Sequence, residues 1–75
     1  METGLDGLKP GTKGIVIQVN TDPVLKSRLR DFGLVPGTEV YCRYRCPWGN
    51  MTALELRGSV LAVRTRDLRY IRVRV

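Results

Sequence analysis

The chain contains no histidine, and only two of its 75 residues are cysteine, Cys42 and Cys46. Without an imidazole there is no side chain poised near neutral pH to activate a nucleophile, and no nitrogen ligand for a transition metal. The cysteines lack a second ligand pair to complete a tetrahedral site. If residues 42–46 run extended, their sulfurs are carried by positions about 13 Å apart, too far for a disulfide. Aromatics are sparse, with one tryptophan and one phenylalanine. No apolar run is long enough to span a bilayer, and Met1-Glu2-Thr3-Gly4-Leu5-Asp6 is polar and acidic where a secretory signal is basic and then apolar. These absences lead us to expect a cytoplasmic chain with free thiols, no membrane insertion, no metal site and no cofactor. Catalysis is not expected either. Glu55, Asp67, Asp31 and Glu39 are more simply read as surface partners for arginine than as an acid–base pair. Gly11 and Gly14 mimic part of a phosphate loop, but a strand comes after them where a helix N-terminus is required.

What is present is a dense set of local structure signals. Asp22 before Pro23 supplies an N-cap acceptor and a first-turn proline, so a helix is predicted over residues 22–32. Leu25, Leu29 and Phe32 stand at i, i+4 and i+7 and are assigned to its core face. Gly33 can adopt the left-handed conformation that closes the helix, and Leu34 then folds back onto Leu29 in a Schellman cap. Pro36-Gly37 fits a type II turn that starts a strand near Thr38. Leu8-Lys9-Pro10-Gly11-Thr12 repeats the same turn wording before the β-rich run Ile15–Val19; the segments downstream of the two copies differ, which favours reuse of a good turn over internal duplication. Gly58-Ser59 suits a type II′ hairpin turn that would pair Leu56 with Leu61 and Leu54 with Val63 on one apolar face. About five short antiparallel strands closing a small barrel, with one helix across an end, is the predicted architecture. A single domain covers residues 1–75, and a chain this short has a thin core.

Charge is unevenly placed. Acids and bases cancel over residues 1–40, whereas residues 41–75 carry eight arginines against Glu55 and Asp67, so the net charge of +6 lies there. A basic binding surface and a simply solvated strand face both account for this. Strict alternation buries Val40, Cys42 and Tyr44 and points Tyr41, Arg43 and Arg45 outward; in the last strand it buries Ile71, Val73 and Val75 and points Tyr70, Arg72 and Arg74 outward. Arg43, Arg45, Arg72 and Arg74 are therefore the candidate partner contacts. Trp48, in the turn Cys46-Pro47-Trp48-Gly49-Asn50, joins them as a candidate anchor, although covering an open barrel end is the commoner fate of such a residue.

The order and spacing of several of these segments resemble the FeoA family. The matching residues are Leu5, Leu8 and Pro10-Gly11, then Gly14-Ile15, Arg28-Leu29, Phe32-Gly33-Leu34 and Pro36-Gly37-Thr38, and finally Arg57-Gly58-Ser59-Val60-Leu61-Ala62-Val63-Arg64. The resemblance covers nearly the whole chain. It implies a small SH3-like β-barrel and a non-catalytic accessory role in bacterial ferrous-iron transport, exercised by binding a FeoB-type membrane transporter at its cytoplasmic face. Two other readings stand beside it. One is a small basic barrel that binds nucleic acid through arginines interleaved with Tyr41, Tyr44, Trp48 and Tyr70; it is disfavoured by the acids of the first half. The other is a detached counterpart of the related domain found at the C-terminus of some metal-dependent repressors. Self-association is left open.

The ligand inventory yields a direct test. Equilibrium dialysis of the isolated chain against ferrous iron, reduced and anaerobic, is expected to show no stoichiometric site; a one-to-one complex of about micromolar affinity would contradict it.

Overall fold

Both Pro-Gly turns adopt the geometry their residues demand. In the computed structural model, which describes residues 1–75, Gly11 and Gly37 have φ of 86° and 94°. The Thr12 N–H donates to the Lys9 carbonyl and the Thr38 N–H to the Val35 carbonyl, each at 3.1 Å, which closes a four-residue turn in both places. From these turns start β2 (Lys13–Val19) and β3 (Glu39–Arg45). The remaining strands are β1 (Glu2–Gly4), β4 (Met51–Leu56), β5 (Ser59–Arg64) and β6 (Ile71–Arg74). All pair antiparallel in one sheet of order β1-β6-β2-β3-β4-β5. The sheet curls around a core that includes Leu5, Leu29, Leu34, Leu54, Leu68 and Ile71, each at most 2 % exposed. Its two edge strands do not pair with each other. Closure comes instead from α2 (Thr65–Leu68), which packs on β5 and on the 3-10 turn Leu5–Gly7 after β1.

The main helix, α1 (Pro23–Asp31), is built as its caps require. Asp22 Oδ1 accepts from the Leu25 N–H at 3.0 Å. At the other end Gly33, with φ of 92°, donates to the Arg30 carbonyl and Leu34 donates to the Leu29 carbonyl, both at 2.9 Å. That pair of bonds is a Schellman cap. Leu34, after the cap, is buried in the core with Leu29, whereas Phe32, the C-cap residue, faces the groove between α1 and β5 and is 52 % exposed.

The structure corrects the sequence reading in several places, each for a local reason. There are six strands rather than about five, because residues 2–4 pair with β6, and the short α2 was not foreseen. The β4–β5 turn is Arg57-Gly58, with φ of 51° and 79°, not Gly58-Ser59. Two successive positive φ values make it a type I′ turn, whose twist matches the flanking strands. Leu54 therefore pairs with Leu61, Leu56 with Ser59 and Thr52 with Val63. The register moves by two, so the predicted apolar side chains still share one face.

Two β-bulges break the simple alternation. In β2 the register shifts between Val16 and Gln18, so Val16 and Val19 are both buried although three apart. In β3 it shifts between Cys42 and Tyr44. Beyond that bulge the two faces exchange: Tyr44 is 57 % exposed rather than buried, and Arg45 turns inward, opposite the buried Thr52. Val75 lies past the end of β6 and is exposed, unlike Ile71 and Val73.

Leu29 anchors α1 to the barrel, so Leu29→Ala is expected to cost about 2–4 kcal/mol in chemical denaturation, a large share of the stability of so small a domain. A loss below about 0.5 kcal/mol would show that the helix does not depend on this contact.

Candidate partner-binding surface

The outer face of the sheet brings cations and carboxylates into the same rows. Arg74 lies opposite Glu2 on one side and Ile15 on the other, and Ile15 is opposite Glu39. Lys13 reaches Glu39 at 3.7 Å. Arg43 Nη1 bonds Glu55 Oε1 at 2.8 Å, both partly exposed. Arg72 lies opposite Gly4 and Gln18. Arg45 donates through Nη2 to the Asp6 carbonyl. The four predicted arginines are thus not one patch. Arg72 and Arg74 sit on β6, Arg43 is across β2 and further along the sheet, and Arg45 leaves the outer face at the bulge. Trp48 does not cover a barrel end; it stands 89 % exposed at the tip of the β3–β4 hairpin.

A feature absent from the sequence reading lies on the other side of β5. Between α1 and β5 runs a groove of about 470 Å³. Its walls are Val24, Leu25 and Phe32 from the helix and Met51, Leu61 and Ala62 from the β4–β5 hairpin; Leu29 and Val63 line it as well, and Asp22, Arg28, Arg64 and Asp67 supply charge around it. Val24 is 68 % and Phe32 52 % exposed, so two large apolar groups stand open on the same wall of the groove. β5 pairs only with β4, so its outer edge of backbone N–H and C=O groups is left without a strand partner. One sequence signal could have pointed here. Val60-Leu61-Ala62-Val63 is apolar on both faces, where a half-solvated strand alternates.

The cysteines are free thiols, Cys42 fully buried and Cys46 half-buried. Burial raises the pKa of the Cys42 thiol above its ordinary value, opposed by the positive charge of Arg45. No group of three or more His, Cys, Asp or Glu side chains is arranged to hold a metal ion. No helix is long and apolar enough to cross a membrane.

Comparison with known proteins gives a consistent likeness over the whole chain. The FeoA domain family matches residues 3–75. Among solved structures, the FeoA protein of Chlorobium tepidum superposes with a TM-score of 0.94 at 29 % identity, covering 97 % of this chain and 70 % of that one. A FeoA-like protein of Clostridium acetobutylicum gives 0.86 at 32 % identity, covering 99 % and 86 %. The zinc-complexed FeoA of Stenotrophomonas maltophilia, described as an SH3 domain protein and a candidate ferrous iron transport activating factor, gives 0.80 at 25 % identity over 97 % and 88 %. The fold is accordingly a small SH3-like barrel. No curated protein matches the chain.

The thiols provide a check on the core. In the native state one thiol, Cys46, is expected to react with a maleimide, and Cys42 only after unfolding. Ionised Cys42 is disfavoured in the folded state alone. Its contribution to stability is therefore fully present below the unfolded thiol pKa of about 8.5 and is lost as pH rises through the raised folded value. Denaturation midpoints should fall more steeply above about pH 9 for the parent than for Cys42→Ala; equal slopes would refute the assignment.

Proposed function

The chain belongs to the FeoA family, and from that premise we propose that it is a non-catalytic accessory protein of ferrous-iron transport that binds and modulates a FeoB-type transporter at the cytoplasmic membrane face. The observation that carries the binding step is the groove between α1 and β5. An apolar trough beside an unpaired strand edge suits an extended protein segment: its backbone adds to β5 while alternate side chains fill the space beside Val24, Phe32 and Leu61. The mixed charges Asp22, Arg28, Arg64 and Asp67 around it set direction and register for such a segment. Arg72 and Arg74 add longer-range attraction toward an acidic partner surface; Arg43, paired with Glu55, and Arg45, held on the Asp6 carbonyl, contribute less, and Trp48 stands apart at the hairpin tip. Nucleic-acid binding is less well supported. Carboxylates of Glu2, Glu39 and Glu55 interrupt the outer face where a backbone-tracking groove is continuously basic.

The test uses the folded chain and a detergent-solubilised transporter, with nucleic acid digested beforehand. Val24→Glu with Phe32→Glu replaces two exposed groups, so the fold should persist by circular dichroism while affinity falls at least about tenfold. Arg72→Glu with Arg74→Glu should weaken binding less and reduce its salt dependence. Parent-like binding by the folded Val24/Phe32 variant would exclude the groove.

A further inference from the structure

The hairpin tip that carries Trp48 is a constructed projection rather than a slack loop. The Gly49 N–H donates to the Cys46 carbonyl at 2.7 Å and the Cys46 N–H to the Met51 carbonyl at 2.9 Å. The base is tied to the start of α2 by the Thr65 N–H, which donates to the Asn50 carbonyl at 3.0 Å. On this frame the chain's only tryptophan is held almost entirely in solvent. Beside the tip lies a cleft of about 560 Å³, lined by Gly49, Asn50, Met51, Arg64, Thr65 and Arg66. No carboxylate lines it. Neither arginine is in an ion pair; the two ion pairs of the chain, Lys13–Glu39 and Arg43–Glu55, lie on the sheet.

We propose that this tip is a membrane-surface contact, in which Trp48 enters the headgroup layer of an anionic bilayer and Arg64 and Arg66 engage its phosphates. An indole has an apolar body and one N–H donor, which suits the boundary between acyl chains and headgroups. Arg64 and Arg66, neither of them in an ion pair, line the cleft beside the tip and supply the matching charge. The shape argues for a bilayer over other occupants. Trp48 is almost fully exposed and lines neither the cleft beside the tip nor the groove along β5, and a single indole is not the run of stacking platforms that receives a single strand. One aromatic anchor and two cations give weak, reversible attachment. The groove between α1 and β5 shares Met51 and Arg64 with this cleft, so a chain resting on its tip holds that groove close to the bilayer. The inference rests on the tip itself and is tested without any transporter.

Because there is a single tryptophan, its fluorescence reports on this site alone. Vesicles of phosphatidylcholine and phosphatidylglycerol in equal parts should shift the emission to the blue, and brominated acyl chains should quench it. High salt should reverse both changes. Arg64→Glu with Arg66→Glu should weaken binding at least about tenfold with the fold intact, and Trp48→Ala should abolish co-sedimentation with the vesicles. An unchanged spectrum with anionic vesicles would overturn the proposal, as would equal binding to pure phosphatidylcholine, a response insensitive to salt, or a response to a single-stranded oligonucleotide in place of vesicles.

Discussion

The end of α1 is the constraint on which the rest of the molecule depends. A helix terminus leaves carbonyls without partners, and here they are met within the short segment Gly33–Thr38. Gly33 and Leu34 close the helix, and the Thr38 hydroxyl donates to the Gly33 carbonyl at 2.8 Å. The same segment then bonds to β2: the Gly37 N–H donates to the Val16 carbonyl at 2.7 Å and the Val16 N–H to the Thr38 carbonyl at 2.9 Å. The Arg57 side chain of the β4–β5 turn reaches back to this point: a side-chain carbon at Gly33 would lie 2.8 Å from Arg57 Cδ. One turn thus joins the helix, the central strands and the far hairpin. Glycine is required there for its positive φ.

The bulges determine which residues the barrel shows to its surroundings. An extra residue at Ile17 keeps both Val16 and Val19 in the core, where strict alternation would have put one of them outside. The bulge at Arg43 has the opposite consequence at the surface. It releases Tyr44 to solvent and draws Arg45 to the Asp6 carbonyl, close to the 3-10 turn that helps to close the barrel. Bulges commonly re-aim side chains at barrel rims, and here one of them divides the arginines of the second half into separate groups.

That division separates the surfaces by chemistry. On the sheet face, arginine and lysine stand among Glu2, Glu39 and Glu55, so the net charge there is moderated. The groove beside β5 is apolar with mixed charge around it, a surface suited to a protein segment. The cleft beside the hairpin tip is lined by arginines and no acids. The two clefts meet at Met51 and Arg64, so a small barrel presents two distinct contact chemistries side by side.

Local signals were legible in the sequence wherever one or two residues determine the backbone. Asp22-Pro23, Gly33-Leu34 and the two Pro-Gly pairs specified caps and turns through φ preferences and side-chain acceptors, which need no distant partner. The strand periods correctly placed Val40, Cys42, Ile71 and Val73 inside. The resemblance carried by those segments also indicated the barrel. Tertiary structure decided the rest. Phe32 is outside because it is the C-cap residue on the groove side, while Leu34 beyond the Gly33 turn joins Leu29 in the core. Arg45 and Tyr44 exchanged faces because β3 carries an extra residue, Arg43, between the Cys42–Leu54 and Tyr44–Ala53 pairs. The groove exists because α1 stands away from an edge strand that has no partner. Each of these outcomes depends on what a side chain meets across the barrel. The order of residues along a single strand or helix carries no record of such a meeting.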